Sequence, residues 1–427
     1  MNRSLALAPL SALAIFCFAW QTLSQTIEPE KLVRPRTVAA AQQTQTKVPQ
    51  PPLTTQEAPT VRTEPATTSG PTTESSSSLV SAFAPTMIQS KIVEAKRLFK
   101  TRPLPTAMTS PSILFVNIAA IDQKTSQIHI ATVAKELFLK KGSEISASSS
   151  LGDPLTIRVV RANGVNTALT IFTQDGRSLA PLVIEFPIEK GGSFKELAYY
   201  TSAHPALLSK DLSRSGQSYV RNMLDLAAKR LRDKGVFISD DLVDIAERLC
   251  VVEHVDHDRF RNENRLALYD EIYSLYALNE IDTYRYSVSF AGAGGMVQMI
   301  PWAYNLVRER HPGVGLNPDF VVGMRNHSNA LQAMLLYMRD TWNDLAASDE
   351  VKYAMGAKLA TMPELMAAGY NSNAAKLPGY LKRGGAEWKV LIPRETQMYL
   401  QIYKSFDSLV PIKNRATTPT QTTAETN

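Results

Sequence analysis

The chain has 427 residues, enough for two or three folded units at about 150 residues each. Apolar residues make up 44% and charged residues 20%, which excludes wholesale disorder and a polytopic membrane protein. The net charge of +6 comes from 46 basic and 40 acidic side chains with no long basic run; that lacks the dense patch of a nucleic-acid specialist and suits an anionic polymer without singling one out.

Met1-Asn2-Arg3 followed by a nearly uncharged run from Leu5 to Trp20 reads as a secretory signal or short membrane anchor over residues 1–25. The run is marginal for a bilayer, which needs roughly 20 residues. Ser24-Gln25 makes a poor cleavage site, so an uncleaved anchor stays open beside full export. Ile15-Phe16 ahead of Cys17 is too bulky for a lipoprotein signal. Residues 26–85 are rich in Pro, Thr, Ser and Gln, too poor in apolar side chains to offset ordering entropy, and read as a disordered linker. Residues 413–427 read as a disordered tail. With only Cys17 and Cys250, an intrachain disulfide and a four-cysteine zinc site are both excluded if Cys17 lies in the targeting segment.

Residues 86–205 read as a β-rich domain. Ile113–Val116, Ile128–Ile130, Leu155–Val159, Ala168–Phe172 and Leu182–Phe186 are β-branched or alternating runs, separated by turn signals such as Gly152-Asp153-Pro154, Asn163-Gly164 and Asp175-Gly176. Asp175-Gly176 predicts a hairpin turn. No chemistry is visible in this region. It suits a structural role or contact with another protein, with direct glycan binding as the other reading.

From about Asp211 the pattern is helical. Ser218–Asp233 is amphipathic and stopped by Gly235; Ser239 is placed to cap the next helix, with Asp240 and Asp241 in its first turn. Further helices are expected over Arg265–Asn279, Met299–Arg310, Asn329–Leu345, Met362–Ala368 and Glu395–Phe406. The fold class is therefore α+β, a small antiparallel β domain followed by a mostly α domain over residues 206–412.

Four segments of the helical part carry candidate chemistry. Leu242, Ala246, Leu249 and Glu253 share one helical stripe, so Glu253 is a carboxylate on an apolar face. Burial there would raise its pKa, as a general acid requires, although pairing with a cation at the helix end fits the periodicity too. Next comes Ser289-Phe290-Ala291-Gly292-Ala293-Gly294-Gly295-Met296-Val297-Gln298-Met299-Ile300-Pro301, a glycine-rich loop without phosphate-loop spacing. Ala367 to Asn373 contains Tyr370-Asn371 at a helix end followed by a turn. Pro393-Arg394-Glu395-Thr396-Gln397-Met398-Tyr399 opens the last helix. A rival at His254-Val255-Asp256-His257-Asp258 could bind a metal, but no third ligand is marked by a motif. Cys250 reads as a core residue, since a reactive thiol would need an activating base.

In this order the segments resemble the lytic transglycosylases of the lysozyme-like superfamily, related to soluble lytic transglycosylase and goose-type lysozyme. Ser289, Gly292, Ala293, Gly295, Gln298 and Pro301 match the family's Ser-x-x-Gly-Ala-x-Gly-Leu-Met-Gln-x-x-Pro segment. Tyr370-Asn371 match its Ala-Tyr-Asn motif, and Pro393, Glu395, Thr396 and Tyr399 its Pro-x-Glu-Thr-x-x-Tyr motif. The resemblance spans about Gly235 to Tyr403. It departs at His254, where the family has Ser, and at Met296-Val297, where it has Leu-Met. The family's glutamate stands about nine residues before the serine, as Glu280 does here, whereas Glu253 stands 36 before it. Glu253 is preferred because Ile238–Glu253 looks more like the family's buried catalytic helix, which makes residues 254–280 an inserted helical hairpin over the cleft. Both glutamates stay open.

The resemblance implies cleavage of the β-1,4 bond between N-acetylmuramic acid and N-acetylglucosamine in peptidoglycan glycan strands, leaving a 1,6-anhydro end. One glutamate would serve as acid and then base, with no cofactor and no metal. Ser289, Gln298 and Tyr370 would contact the sugar, and Asn371 and Glu395 would organise the cleft. A catalytically dead peptidoglycan-binding scaffold and a hydrolytic muramidase are the alternatives.

Overall fold

The computed structural model describes residues 84–101, 112–289 and 291–415. The expected signal or anchor, the linker up to residue 83 and the tail from residue 416 lie outside the described residues. No described helix is long and apolar enough to cross a membrane.

The chain is α+β. Helix α1 (Pro85–Thr101) precedes seven strands: β1 (Phe115–Asp122), β2 (Ile128–Ala134), β3 (Glu144–Ser148), β4 (Pro154–Arg161), β5 (Ala168–Thr173), β6 (Ser178–Lys190) and β7 (Ser193–Tyr200), with a short helix α2 (Lys135–Phe138) after β2. All strand pairs are antiparallel. The sheet order is β2-β1-β6-β5-β4-β3, with β7 taking the second half of the long β6. The second residue after β3 reaches the opposite end of this order: Ser150 N–H donates to Ile130 O at 2.8 Å, and Ile130 N–H donates to Ser150 Oγ at 3.0 Å. The sheet is thereby curled back on itself, which shields its edges.

Alternation decides what each strand buries. Val116, Ile118, Val133, Ile157, Ile171 and Phe186 fill the inside of the curl, with Ile118 opposite Ile184 and Ile157 opposite Ile171. On the outer face Ala119, Ile121, Ala180 and Leu182 are covered by Ile88, Ile92, Ala95 and Phe99 of α1, which are spaced four, three and four apart along one helix face. The expected Asp175-Gly176 turn joins β5 to β6, with Gly176 at φ 81°. Strands β3 and β7 and helix α1 are additions to the expected set. In β3 only Ile145 is buried, so it carries almost no hydrophobic signal.

The helical part comprises α3 (Lys210–Asp233), α4 (Asp240–Val252), α5 (His257–Asn262), α6 (Arg265–Asn279), α7 (Pro301–Arg310), α8 (Phe320–Arg325), α9 (His327–Ala347), α10 (Asp349–Gly356), α11 (Met362–Asn371), α12 (Leu377–Gly384), α13 (Trp388–Leu391) and α14 (Arg394–Leu409). Ser239 holds the N-cap position of α4, but its side chain makes no capping bond. The first-turn acids Asp240 and Asp241 remain to complement the helix dipole. Helix α11 runs on through Asn371, so Tyr370-Asn371 end a helix and are not part of the turn.

The expectation of a hairpin lying over the cleft is corrected for α6. Tyr269, Tyr273 and Tyr276 are at most 2% exposed, and α6 is buried on nearly every side within the main core. It packs on α3 so tightly that a Cβ at Gly216 would sit 1.7 Å from the Tyr273 carbonyl oxygen. Only α5 remains at the rim. It is tied to α6 by the two Arg259 guanidinium nitrogens, each 2.8 Å from a Glu271 carboxylate oxygen, the bidentate geometry that makes such pairs strong.

The β and α parts share a core in which Ala180 and Leu182 meet Leu212, Ala277 and Leu278. The Asn279 side chain bonds both the N–H and the carbonyl of Thr201 at 2.8 Å, and Arg325 reaches Glu196 at 2.6 Å. The expected tail beginning at 413 is also corrected, because Arg415 packs against α4. Its guanidinium bonds Asp244 at 2.6 Å, Glu247 at 2.7 Å and Asp225 at 2.7 Å. Glu247 is fully buried and also meets Arg221 at 3.1 Å. Burial pushes its carboxyl up, against the pull of the two guanidinium groups.

Candidate active site

Helix α4 buries Leu242, Ala246 and Leu249, and the same stripe delivers Glu253 to its half-buried C-terminal end. The Glu253 backbone N–H still donates to Leu249 O at 3.0 Å, so the residue is held by the last helical turn. Its carboxylate Oε1 accepts a hydrogen bond of 2.7 Å from the Tyr399 hydroxyl. Tyr399 is fully buried on α14, and a buried phenol donating to a carboxylate fixes that oxygen in place. Cys250, one turn earlier, is buried in the core and its thiol is pushed up by burial, as a structural cysteine requires.

The glycine-rich segment folds onto itself. Ser289 N–H donates to Ala293 O at 2.8 Å, Gly295 N–H to Ser287 O at 3.1 Å and Gly294 N–H to Met299 O at 3.0 Å. Gly295 has φ 67°, and a Cβ there would lie 2.3 Å from Met324 O, so both its backbone conformation and its space demand glycine. Gln298 also has positive φ, 45°, a conformation unusual for a side-chain-bearing residue. Its amide nitrogen holds it there, donating to Gly295 O at 2.7 Å and Ser287 Oγ at 3.3 Å.

Two side chains fasten this loop to the helices. Tyr370 donates its hydroxyl to Val297 O at 2.7 Å. His254, directly after Glu253, bonds Met296 O through Nε2 at 2.9 Å. A carbonyl only accepts, so that nitrogen carries the proton. The imidazole stacks on Tyr284 with centroids 3.4 Å apart and planes 2° from parallel. Tyr284 meets Tyr276 edge-on, and the Tyr276 hydroxyl donates to Cys250 O at 2.9 Å. Burial pulls the His254 pKa down to about 3, outweighing the carbonyl bond, with His327 adding to the fall. His327 donates from Nε2 to Thr283 O at 2.8 Å and its Nδ1 meets the Tyr219 hydroxyl at 2.9 Å. Burial lowers it to about 4. Both rings are neutral near pH 7.

The four sequence segments thus meet around the end of α4. Gln298, Tyr370 and Asn371 are 4%, 3% and 7% exposed. Gln298 and Tyr370 are engaged in shaping the loop, and Ser289 Oγ accepts from Ala293 N–H at 3.0 Å within it. Glu395 lies one turn before Tyr399 on α14 and lines a cavity of about 530 Å³ with His257, Arg261, Arg394 and Gln397. Glu280 is exposed at the C-terminal end of α6, with φ 47°. Among the described residues its side chain makes no hydrogen bond to any of the four segments.

Of the residues of the alternative metal reading, His254 bonds Met296 O, and His257 lines the cavity beside Glu395 with its Nε2 unpartnered among the described residues. Asp256 caps α5 through the N–H groups of Asp258 and Arg259, and Asp258 pairs with Arg261. The contact between Glu253 and Tyr399 was beyond sequence reasoning, because the two are 146 positions apart. Nor does the sequence mark His254 as the brace of the loop. Compared with family models, curated proteins and solved structures, the chain matches none.

Proposed function

We propose that the chain is a peptidoglycan lytic transglycosylase that cleaves the β-1,4 bond between N-acetylmuramic acid and N-acetylglucosamine, with Glu253 as its single acid and base. The observation that carries this reading is the Tyr399–Glu253 hydrogen bond of 2.7 Å. It joins the segment resembling the family's last motif to the carboxylate at the end of the helix resembling its catalytic one. The loop braced by His254 and Tyr370 supports it further.

The chemistry needs one carboxyl group that is an acid first and a base second. Tyr399 orients it through Oε1, and in the acid state it carries a proton. Glu253 gives that proton to the glycosidic oxygen as the bond from the muramyl C1 breaks through an oxocarbenium-like state. The carboxylate then takes the proton of the muramyl 6-hydroxyl, whose oxygen bonds to C1. The products are an N-acetylglucosamine 4-hydroxyl end and a 1,6-anhydro end, and protons balance without water. The half-buried setting of Glu253 suits a group that must be acid and base in turn near neutral pH. Export to the periplasm and a contact role for the curled sheet, the latter with an envelope protein, accompany this reading.

Digestion of purified peptidoglycan in water enriched in oxygen-18 tests it. Anhydromuropeptides without the heavy isotope are expected. Labelled reducing ends would make the protein a hydrolase, and binding without release would make it a scaffold.

A further inference from the structure

The segment that joins α6 to the glycine-rich loop faces the β part and the α part in turn. At its start the Asn279 side chain holds both the N–H and the carbonyl of Thr201, just past β7. Tyr284, with φ 56°, stacks on His254 beside Glu253. Tyr286 turns the other way and packs against the inner core of the curl, the cluster that contains Ile157, Ile171 and Phe186. Ser287 then returns to the loop. Its carbonyl accepts from Gly295 N–H at 3.1 Å and its Oγ from the Gln298 amide at 3.3 Å. A ring set against the β core is thus followed directly by the residue on which the loop is hydrogen-bonded.

One carboxylate of β7 holds both sides of this arrangement. Glu196 stands opposite Ile188 in the β6–β7 ladder, and Ile188 packs against the same inner core as Tyr286. Glu196 Oε1 meets Arg325 at 2.6 Å and its Oε2 meets Arg285 at 3.7 Å. Arg285 immediately precedes Tyr286. Arg325 follows Met324, whose carbonyl oxygen leaves no room for a Cβ at Gly295. The guanidinium carbons of Arg325 and Arg285 lie 4.9 Å and 5.7 Å from the centre of the Tyr286 ring, within reach of cation–π attraction. Carboxylate, ring and two guanidinium groups form one network, which holds geometry better than an isolated exposed pair. The contact is also separate from the apolar core shared by Ala180, Leu182 and Leu212 on the outer face of the sheet, so joining the two parts does not depend on it.

We propose that Tyr286 is a positioning residue and Glu196 its anchor, through which the β part holds the glycine-rich loop in the form that meets the glycan. The curled sheet is then a working part of the cleft, and a change on β7 reaches the loop without touching substrate. What the loop binds rests on the transglycosylase reading; what holds the loop rests on the contacts themselves.

Two measurements on the full chain keep these apart, made on the wild type, Tyr286→Ala, Tyr286→Phe and Glu196→Ala. The first is hydrogen exchange at the Gly294 and Gly295 amides, which bond Met299 O and Ser287 O. In Tyr286→Ala and Glu196→Ala these amides exchange at least about ten-fold faster while those of α4 keep their rates, as local opening requires. Tyr286→Phe keeps the ring and exchanges as the wild type does. Unchanged loop amides in both alanine variants, or equal acceleration in α4, overturns the proposal. The second is steady-state cleavage of soluble, uncrosslinked glycan strands. KM rises about ten-fold in Tyr286→Ala with kcat within about two-fold of the wild type, because a displaced loop loses binding contacts. Loss of folded protein alone would lower kcat and leave KM as it was, and that result overturns the positioning role. No cleavage by any version, with the exchange result as expected, keeps the anchor and overturns the transglycosylase reading.

Discussion

The His254 imidazole makes acid stability a quantitative test of how the site is built. Its folded pKa of about 3, against an ordinary 6.5, means that the unfolded chain takes up a proton below pH 6.5 that the folded chain refuses. Stability must therefore fall as the pH drops through 6.5 towards 3. Between about pH 7.5 and pH 5 the loss for His254 is about 2 kcal/mol, from about 1.4 kcal/mol for each pH unit below 6.5. His327, lowered to about 4, loses about the same amount over that window. Burial lowers His204 in the same direction, whereas the raised Glu247 works against the trend. Those contributions are common to wild type and variant and cancel in the comparison. Urea unfolding of wild type and His254→Gln at the two pH values measures the difference. The variant is less stable at pH 7.5, because the Tyr284 stack is gone, but its loss on acidification is smaller than that of the wild type by about 2 kcal/mol. Identical losses in the two proteins would refute a neutral, buried His254 and with it the bracing of Met296.

Tyr399→Phe keeps the ring and removes the bond to Glu253; a hydrogen bond to a charged group is worth about 1.5–3 kcal/mol, so release of muropeptides falls about ten- to one-hundred-fold while the folded circular dichroism spectrum is retained. Gly216→Ala forces a methyl group to within 1.7 Å of Tyr273 O and must separate α3 from α6, so the melting temperature falls sharply, by about 3 kcal/mol or more in stability on the scale of severe overpacking. Arg415→Ala leaves the buried Glu247 with Arg221 alone and costs about 1–3 kcal/mol in urea unfolding, less than the loss of a sole partner, whereas Arg415→Lys recovers part of it.

The sequence made the sheet legible where one face is buried and the other is not. Strands β4 and β5 show clean alternation, with Leu155, Ile157 and Val159 inward and Thr156 and Arg158 outward. It failed for β3, which buries only Ile145, and for β7, whose polar and apolar residues are mixed. Helix α6 shows the opposite limit. It is buried nearly all round, so no stripe distinguishes its ends, and periodicity could not choose between Glu253 and Glu280. The glycine loop was marked by its glycines, and Gly295 does take positive φ against Met324 O; the positive φ of Gln298 was not readable, since nothing in the sequence singles out a glutamine for it. The bond that joins the loop to His254 was not readable either, since nothing in a local pattern records a contact with Met296, 42 positions on. Arg415 was misplaced for the same reason. It stands in a polar terminal stretch, and its three carboxylate partners lie on α3 and α4.

The central claim is that Glu253 carries out both proton transfers. The most direct measurement is digestion of purified peptidoglycan by the wild type, Glu253→Gln and Glu280→Gln, with products identified by mass. Anhydromuropeptides from the wild type and from Glu280→Gln, but none from Glu253→Gln, are the expected result. Full activity in Glu253→Gln, or its loss only in Glu280→Gln, would contradict the account.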